Sequence, residues 1–145
     1  MTTAPRFTLV ETQRFEWPFR LRMPFRFGVI TVTPGRQAVL RARSAVEGGG
    51  EHWGVAAETL AAKWFDKDPR WSDAQNEDQL RRALEIAAAA TQASGANTAF
   101  GHYADAYAGH VSACGAEGLN PLIAAYGRAL VDRAMLDALL KAKGL

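Results

Sequence analysis

The chain has 145 residues, 48% of them hydrophobic and 22% charged, which is typical of one packed globular domain. Its formal net charge is +2, and its one cysteine, Cys114, excludes an internal disulfide and a metal site built from several cysteines. No apolar run approaches the roughly 20 residues that span a bilayer and residues 1–14 lack a signal-peptide pattern, so we expect a cytoplasmic protein without membrane contact.

Positive charge is concentrated at the start of the chain. Residues 1–45 contain eight arginines and two glutamates, so they carry +6, while the remainder carries −4. Arginine binds carboxylates and phosphates through paired hydrogen bonds, so Arg20, Arg22 and Arg26 are candidates for an anionic ligand. Solvated strand and loop residues are the favoured interpretation. A recognition helix and a lysine-rich patch are both missing, so we expect no nucleic-acid partner.

The first half of the chain predicts strands. Residues 6–14 alternate with the period of a strand. Residues 17–27 are rich in aromatic side chains and contain two prolines, which predict an apolar loop because proline interrupts strand pairing. A β-branched segment over residues 27–33 predicts a second strand, Pro34-Gly35 a turn, and residues 36–46 a third strand. The sheet is expected to be antiparallel with one face in solvent, and the strand region to cover about residues 6–58.

Three glycines, Gly48 to Gly50, follow the third predicted strand. They favour a plain hairpin turn, because glycine tolerates the positive φ angles of such turns. A phosphate-binding loop would need a helix directly after it, and Glu51 carries the wrong charge. Further along, four aromatic side chains are expected to anchor a loop onto the helices: Trp53, Trp64, Phe65 and Trp71.

The second half predicts helices over about residues 72–143. Ser72 and Gln75 have the spacing of a capping box, and the helix that they begin is expected to end near Ala93. After a break at residues 94–97, a stripe on the second helix is expected to face the core, and the stripe consists of Phe100, Tyr103, Tyr107, Val111 and Cys114. Asn120-Pro121 predicts the start of the last helix, with Gly127 as a candidate interruption. The resulting fold class is α+β: a three-stranded antiparallel β-meander followed by a bundle of three or four helices.

No constellation in the sequence predicts catalysis or metal binding. His102, Asp105 and His110 are separated by steps of three and five, which spread them around a helix, so we interpret the histidines as surface residues. Asp66, Asp68 and Asp73 lack the alternating spacing of a cation loop. No serine occupies a nucleophile elbow, and Cys114 lies in an apolar stripe.

Two segments carry a resemblance to a known family. They are residues 23–60, MPFRFGVITVTPGRQAVLRARSAVEGGGEHWGVAAETL, and the final helix, ALVDRAMLDALLKAKGL. Together they resemble the N-terminal capping domain of the enolase superfamily, in its mandelate racemase and muconate lactonizing branch. Residues 134–137 match the family's Ala-apolar-aromatic-Asp pattern, with Leu136 in place of the usual tryptophan, and His52 stands where the family more often has glycine.

The resemblance implies that residues 1–145 form this capping domain and that the catalytic barrel of the family is missing from the sequence. In the family, the barrel binds a magnesium ion that stabilises the enediolate formed when a lysine or histidine removes the proton α to a carboxylate. Such enzymes are racemases, dehydratases or cycloisomerases. The resemblance therefore implies that this chain contains no catalytic residue and no cofactor site, and that it serves as a lid that sets substrate selectivity.

The same analogy names the residues that would face the substrate. The loop between the first two strands would contribute Met23, Phe25, Arg26 and Phe27, and the loop after the third would contribute Ala57, Glu58 and Thr59. Arg26 would bind the substrate carboxylate, and the two phenylalanines would form pocket walls, although packing on the cap's own helices explains the phenylalanines equally well.

The expected partners are the C-terminal barrel, in the same chain or separately encoded, and a small carboxylic acid. Because its apolar loop would lack a cover, the isolated domain is also expected to self-associate. Two alternatives remain open from the sequence. One is a free-standing module that binds a small carboxylate, and the other is a protein-interaction module with the same fold.

Overall fold

The computed structural model describes residues 4–145 as a three-stranded antiparallel sheet followed by four helices. The strands β1 (Phe7–Phe27), β2 (Ile30–Val46) and β3 (Gly50–Thr59) pair in the order β1-β2-β3. The helices are α1 (Ala62–Phe65), α2 (Asp73–Ala93), α3 (Ala99–Ala116) and α4 (Pro121–Ala142). The α+β fold class, a β-meander followed by helices, is confirmed. None of the helices in residues 4–145 offers an apolar stretch sufficient to span a bilayer.

The strand bounds differ from those predicted. The predicted second and third strands are one strand, β2, and β3 lies where no separate strand was predicted. The segment Trp17–Phe27 is the second half of β1, and the predicted loop there is wrong. The predicted turn at Pro34-Gly35 is also wrong, because β2 runs through it and the chain turns at Gly28-Val29, where Gly28 has a φ of 54°. Of the glycine turns, the one predicted at Gly48 to Gly50 is confirmed, with β3 starting at Gly50.

Two prolines lie at paired positions of the strands without removing a hydrogen bond between them. Pro18 pairs with Arg36, and Pro34 pairs with Arg20. The pairing of β2 with β3 ends at Gln37, so beyond that residue β1 and β2 form a two-stranded ribbon in which each strand has a free edge. A proline whose missing N–H would face that free edge removes no ladder hydrogen bond.

We call residues 17–36, the part of the β1–β2 hairpin that extends past β3, the hairpin arm. Its register is irregular between Arg20 and Phe25, which pair with Pro34 and Val32. Four residues of β1, Leu21 to Pro24, therefore lie opposite one residue of β2, Thr33. A bulge of this kind bends a hairpin and increases its twist.

One face of the sheet is covered by α2 and α4. Along β2, every second residue from Ala38 to Val46 is buried, whereas Arg41 and Arg43 between them are only partly buried. This alternation agrees with the prediction that one face of the sheet lies in solvent. On the other face, the Arg41 guanidinium lies 4.4 Å from the ring centroid of Trp53. The prediction that Trp53 anchors a loop onto the helices is therefore wrong, because Trp53 lies in β3 beneath Arg41.

Two glycines allow α4 to approach its neighbours closely. A Cβ atom at Gly54 in β3 would lie 2.0 Å from the carbonyl oxygen of Ala134. A Cβ atom at Gly127 would lie 2.3 Å from the carbonyl carbon of Ala83 in α2. Gly127 does not interrupt α4, which continues through it. It is a point of contact between two helices.

The predicted helix starts are confirmed. Ser72 and Gln75 form a reciprocal capping box at the start of α2, and Asn120 caps α4 with Pro121 in its first turn. Thr98 accepts from the Gly101 N–H at the start of α3. These caps satisfy N–H groups that have no partner inside the helix.

The predicted core stripe of α3 is wrong for three of its five residues. Phe100, Tyr103 and Tyr107 are exposed, whereas Val111 packs against the core and Cys114 is buried in it. His102 and His110, which are outside the stripe, are buried as well. Each histidine ring is accommodated because its Nε2 bonds to a main-chain carbonyl oxygen. His102 bonds to Phe7 at 2.7 Å, and His110 bonds to Ala124 at 2.8 Å. The interpretation of these histidines as surface residues is therefore also wrong, whereas the core position of Cys114 is confirmed.

Candidate functional site

An open apolar groove of about 770 Å³ lies between the hairpin arm and α1. Its apolar walls include Leu21, Met23, Phe25, Phe27, Ile30 and Trp64. The rings of Phe25 and Phe27 lie 5.8 Å apart, and Phe27 meets Trp64 edge to face at 5.3 Å. The arm and α1 are thus connected through aromatic contacts at one end of the groove.

Much of the apolar surface of the groove and the arm has no cover from residues 4–145. Met23 is 69% exposed, Phe25 56%, and Val29 at the tip of the arm 90%. Trp64 is also more than half exposed. Contiguous apolar surface on this scale is typical of a place where another protein or a ligand binds.

The charged groups that line the groove leave no free cation among the described residues. Lys63 is the one positive side chain in the lining. Its Nζ donates to the carbonyl oxygens of Asp68 and Trp71 at 3.3 and 2.5 Å, and to Asn76 Oδ1 at 2.7 Å. An ammonium has three N–H donors, so those of Lys63 are all used. A carboxylate in the groove would need its positive partner from outside residues 4–145.

Five of the seven predicted lid residues come together here: Met23, Phe25, Phe27, Glu58 and Thr59 line the groove. Arg26 and Ala57 do not. Side chains alternate along a strand, so Arg26 lies on the opposite face of β1 from Phe25 and Phe27. Its Nε donates to the carbonyl oxygen of Gly28 at 3.3 Å.

The second group of lid residues has a different setting from the one predicted. Ala57, Glu58 and Thr59 form the end of β3 and are not part of a loop. Ala57 is exposed, and Glu58 forms an ion pair with Arg133 of α4 at 3.2 Å. The arm itself is a strand pair with one bulge, so neither group of predicted lid residues lies in a loop.

A second cleft, of about 450 Å³, lies between α2 and the first two strands, with Leu60 shared by both sites. Its polar lining consists of two ion pairs. Arg81 binds Glu16 through two hydrogen bonds, of 2.6 and 2.9 Å, and Arg14 binds Glu85 at 2.7 Å. These hydrogen bonds hold the pKa of Glu16 and the pKa of Glu85 below their ordinary values. The carboxylates therefore stay ionised near neutral pH.

Tyr126 in α4 also lines this cleft. The residue is 4% exposed, and its hydroxyl has no hydrogen-bond partner within residues 4–145. Burial raises the pKa of Tyr126 above its ordinary value, with the nearby Glu58 acting in the same direction. The hydroxyl is thus a protonated donor. Sequence reasoning missed this cleft because its residues come from separate elements and no motif links them.

The remaining polar groups of residues 4–145 were compared with the arrangement that a metal ion needs. No three His, Cys, Asp or Glu side chains in that range are close enough to hold a metal ion. Asp105 accepts a hydrogen bond from Asn97 at 2.8 Å, away from the two buried histidines. Burial raises the pKa of the Cys114 thiol, which lies 3.6 Å from His110 Nε2. A thiol of raised pKa is a poor nucleophile.

Comparison with protein-family models, with curated proteins and with solved structures gave no match for this chain.

Proposed function

We propose that this chain is a noncatalytic capping domain of the enolase-superfamily type. Its hairpin arm would lie over the mouth of a catalytic barrel and form part of the pocket for a small carboxylic acid. The observation that carries the proposal is the groove, which gathers Met23, Phe25, Phe27, Glu58 and Thr59 from two distant segments beside exposed apolar surface.

The chemistry of the groove supports a role in enclosing a substrate. Phe25, Phe27 and Trp64 offer apolar walls, and the lining includes no free cation among the described residues. A lid of this composition excludes water and shapes the pocket, while the carboxylate is held by groups of the covering domain. The magnesium ion of the family likewise belongs to the barrel.

Photo-cross-linking in the source cells tests the proposal. A photoreactive phenylalanine analogue replaces Phe25 in the groove, and in a matched strain it replaces Phe100, which is 76% exposed on α3. We expect the probe at position 25 to react with a barrel-forming segment, in the same polypeptide or in a separate one, as mapped by peptide mass spectrometry. Equal labelling from both positions, or labelling of a second copy alone, would contradict the lid.

A kinetic measurement on the assembled enzyme separates a lid from a plain docking module. As a lid residue, Phe25→Ala would lower kcat/KM for the acid about tenfold or more while leaving the melting temperature unchanged, since the side chain is exposed in this domain. A protein-interaction module, the second candidate, is favoured by the same exposed apolar surface. If the chain is such a module, Phe25→Ala would weaken binding of the partner and leave kcat/KM unchanged once the complex is saturated.

A further inference from the structure

A buried hydroxyl without a hydrogen-bond partner is unusual, because it loses its contact with water and gains nothing in return. Tyr126 is in this situation, and the residue lines the cleft between α2 and the first two strands. The cleft also has the volume of a small-molecule site, at about 450 Å³. These two observations are independent of each other, and both indicate that something binds there.

Among the described residues, the lining side-chain groups that make no hydrogen bond can all donate one. Both oxygens of Glu16 accept from Arg81, and both oxygens of Glu85 accept from arginines, Arg14 and Arg82. Arg81 uses all three of its nitrogens for carboxylates. Within residues 4–145, the groups left over are the Tyr126 hydroxyl and the N–H groups on Nε and Nη2 of Arg14.

An ionised carboxylate matches this set, because it offers acceptors and no donor. Arginine and tyrosine both form strong hydrogen bonds with it. The walls formed by Val39, Leu60 and Leu84 would contact a short apolar portion of the ligand. The charges of the two ion pairs in the lining cancel. The unused donors of Arg14 and Tyr126 therefore decide which class of ligand the cleft prefers.

We propose that the cleft lined by Tyr126 and Arg14 binds a small carboxylate, which accepts hydrogen bonds from both side chains. This site is separate from the groove of the hairpin arm, and it does not rest on the lid function. Arg14 is exposed and therefore reachable from solvent.

Titration of the ¹⁵N-labelled 145-residue chain with sodium acetate, against sodium chloride at equal ionic strength, tests the site. A ligand of this size is expected to have a Kd of about 1 mM, so the titration extends to about 100 mM. We expect saturable changes in the amide shifts of Val39, Leu60 and Glu85. Tyr126→Phe should raise the Kd at least about fivefold, and Tyr103→Phe, at an exposed tyrosine, should leave it unchanged.

Arg14→Gln gives a second variant that keeps the strand and removes the cation, and it should also raise the Kd about fivefold. Shifts that do not saturate, shifts confined to the arginines of the hairpin arm, or equal affinity in Tyr126→Phe would overturn the site. None of these results bears on cross-linking from Phe25, so the two proposals fail separately.

The melting temperature without ligand adds an independent test. Removal of an unpartnered buried hydroxyl relieves its desolvation penalty, so Tyr126→Phe should raise the Tm by about 2 to 4 °C. A lowered Tm would mean that the hydroxyl already has a partner, such as an ordered water molecule, and would count against the site.

Discussion

Asp137 Oδ2 accepts a hydrogen bond from the main-chain N–H of Val55 at 2.8 Å, which ties α4 to the outer edge of β3. The neighbours of Asp137 one turn away make the same kind of contact. Arg133 Nη2 donates to the Ala57 carbonyl oxygen, and Lys141 Nζ donates to that of Trp53, both at 3.4 Å. Four helical residues rise about 6 Å, close to the length of two strand residues, so the two spacings match.

Replacement of Asp137 by alanine should therefore weaken the attachment of α4 to β3. We expect a loss of about 0.5 to 1 kcal/mol in the free energy of unfolding at pH 7, reduced by the partial exposure of the side chain. Urea denaturation, monitored by circular dichroism, measures this loss. The control is Asp78→Ala, whose side chain is 74% exposed in an i,i+3 ion pair with Arg81, and whose loss should be smaller, about 0.3 kcal/mol.

The contribution of Asp137 should depend on pH. Hydrogen bonds from Lys141 and then from the Val55 N–H lower the pKa of Asp137 below its ordinary value of 3.8. A lowered folded-state pKa means that the stabilisation is complete above the unfolded-state pKa, and that it disappears as the pH falls through the folded-state value. The difference between wild type and Asp137→Ala should thus be constant from pH 5 to 7 and shrink below about pH 4. A difference that persists at pH 2 would show that packing, not charge, explains the loss.

Substitution of two helical glycines by alanine should change the stability of the protein in opposite directions. Gly127→Ala places a Cβ against the backbone of α2, so we expect it to cost about 3 kcal/mol or more. Gly109→Ala in α3 meets no atom within 4 Å, and it should stabilise by about 0.5 to 1 kcal/mol because alanine has the higher helix propensity. Thermal unfolding of both variants gives the comparison. Equal effects would mean that α2 and α4 are farther apart than described.

The buried imidazole of His102 should contribute more to stability than that of His52. His102→Ala opens a cavity and leaves the Phe7 carbonyl oxygen without its side-chain partner, so we expect a loss of about 3 kcal/mol. His52 bonds to the Gly49 carbonyl oxygen within a turn and is only partly buried, so His52→Ala should cost less than about 1 kcal/mol. Chemical denaturation of the two variants, each compared with wild type, measures these losses.

The hairpin arm should drive self-association of the isolated domain. Phe25→Glu places a charge on its exposed apolar surface and should lower the apparent mass in light scattering at high concentration. Phe100→Glu, on the exposed aromatic stripe of α3, serves as the comparison and should have less effect. If Phe100→Glu is the variant that restores the monomer, then the surface responsible for association is α3.

The sequence predicted the helix starts more reliably than the strand ends. Ser72, Gln75 and Asn120 act on N–H groups within three residues, so their effect is local and visible in the sequence. The roles of Pro18 and Pro34 depend on whether a neighbouring strand is present. For Pro18 the neighbour is excluded because β1 is an edge strand, and for Pro34 it is excluded by the length of β3. No residue near either proline indicates these facts.

The candidate site was predictable only in part, for a related reason. The family resemblance singled out Phe25, Phe27 and Glu58, which do line one groove. The position of Arg26 on the far face follows from strand alternation, and that rule could not be applied while residues 17–27 were interpreted as a loop. The exposure of Phe100 and the burial of His102 depend on the carbonyl oxygen of Phe7, which lies far away in the sequence.

The contacts of α4 with β3 make the two edges of the sheet different. On the β3 side, Arg133, Asp137 and Lys141 occupy the main-chain groups of three alternate residues. On the β1 side, the pairing described for residues 17–27 is with β2 alone. A fourth strand is therefore blocked along β3 by side chains of α4, and along the arm it would meet Pro18, which has no N–H to donate, and the bulge at residues 21–24.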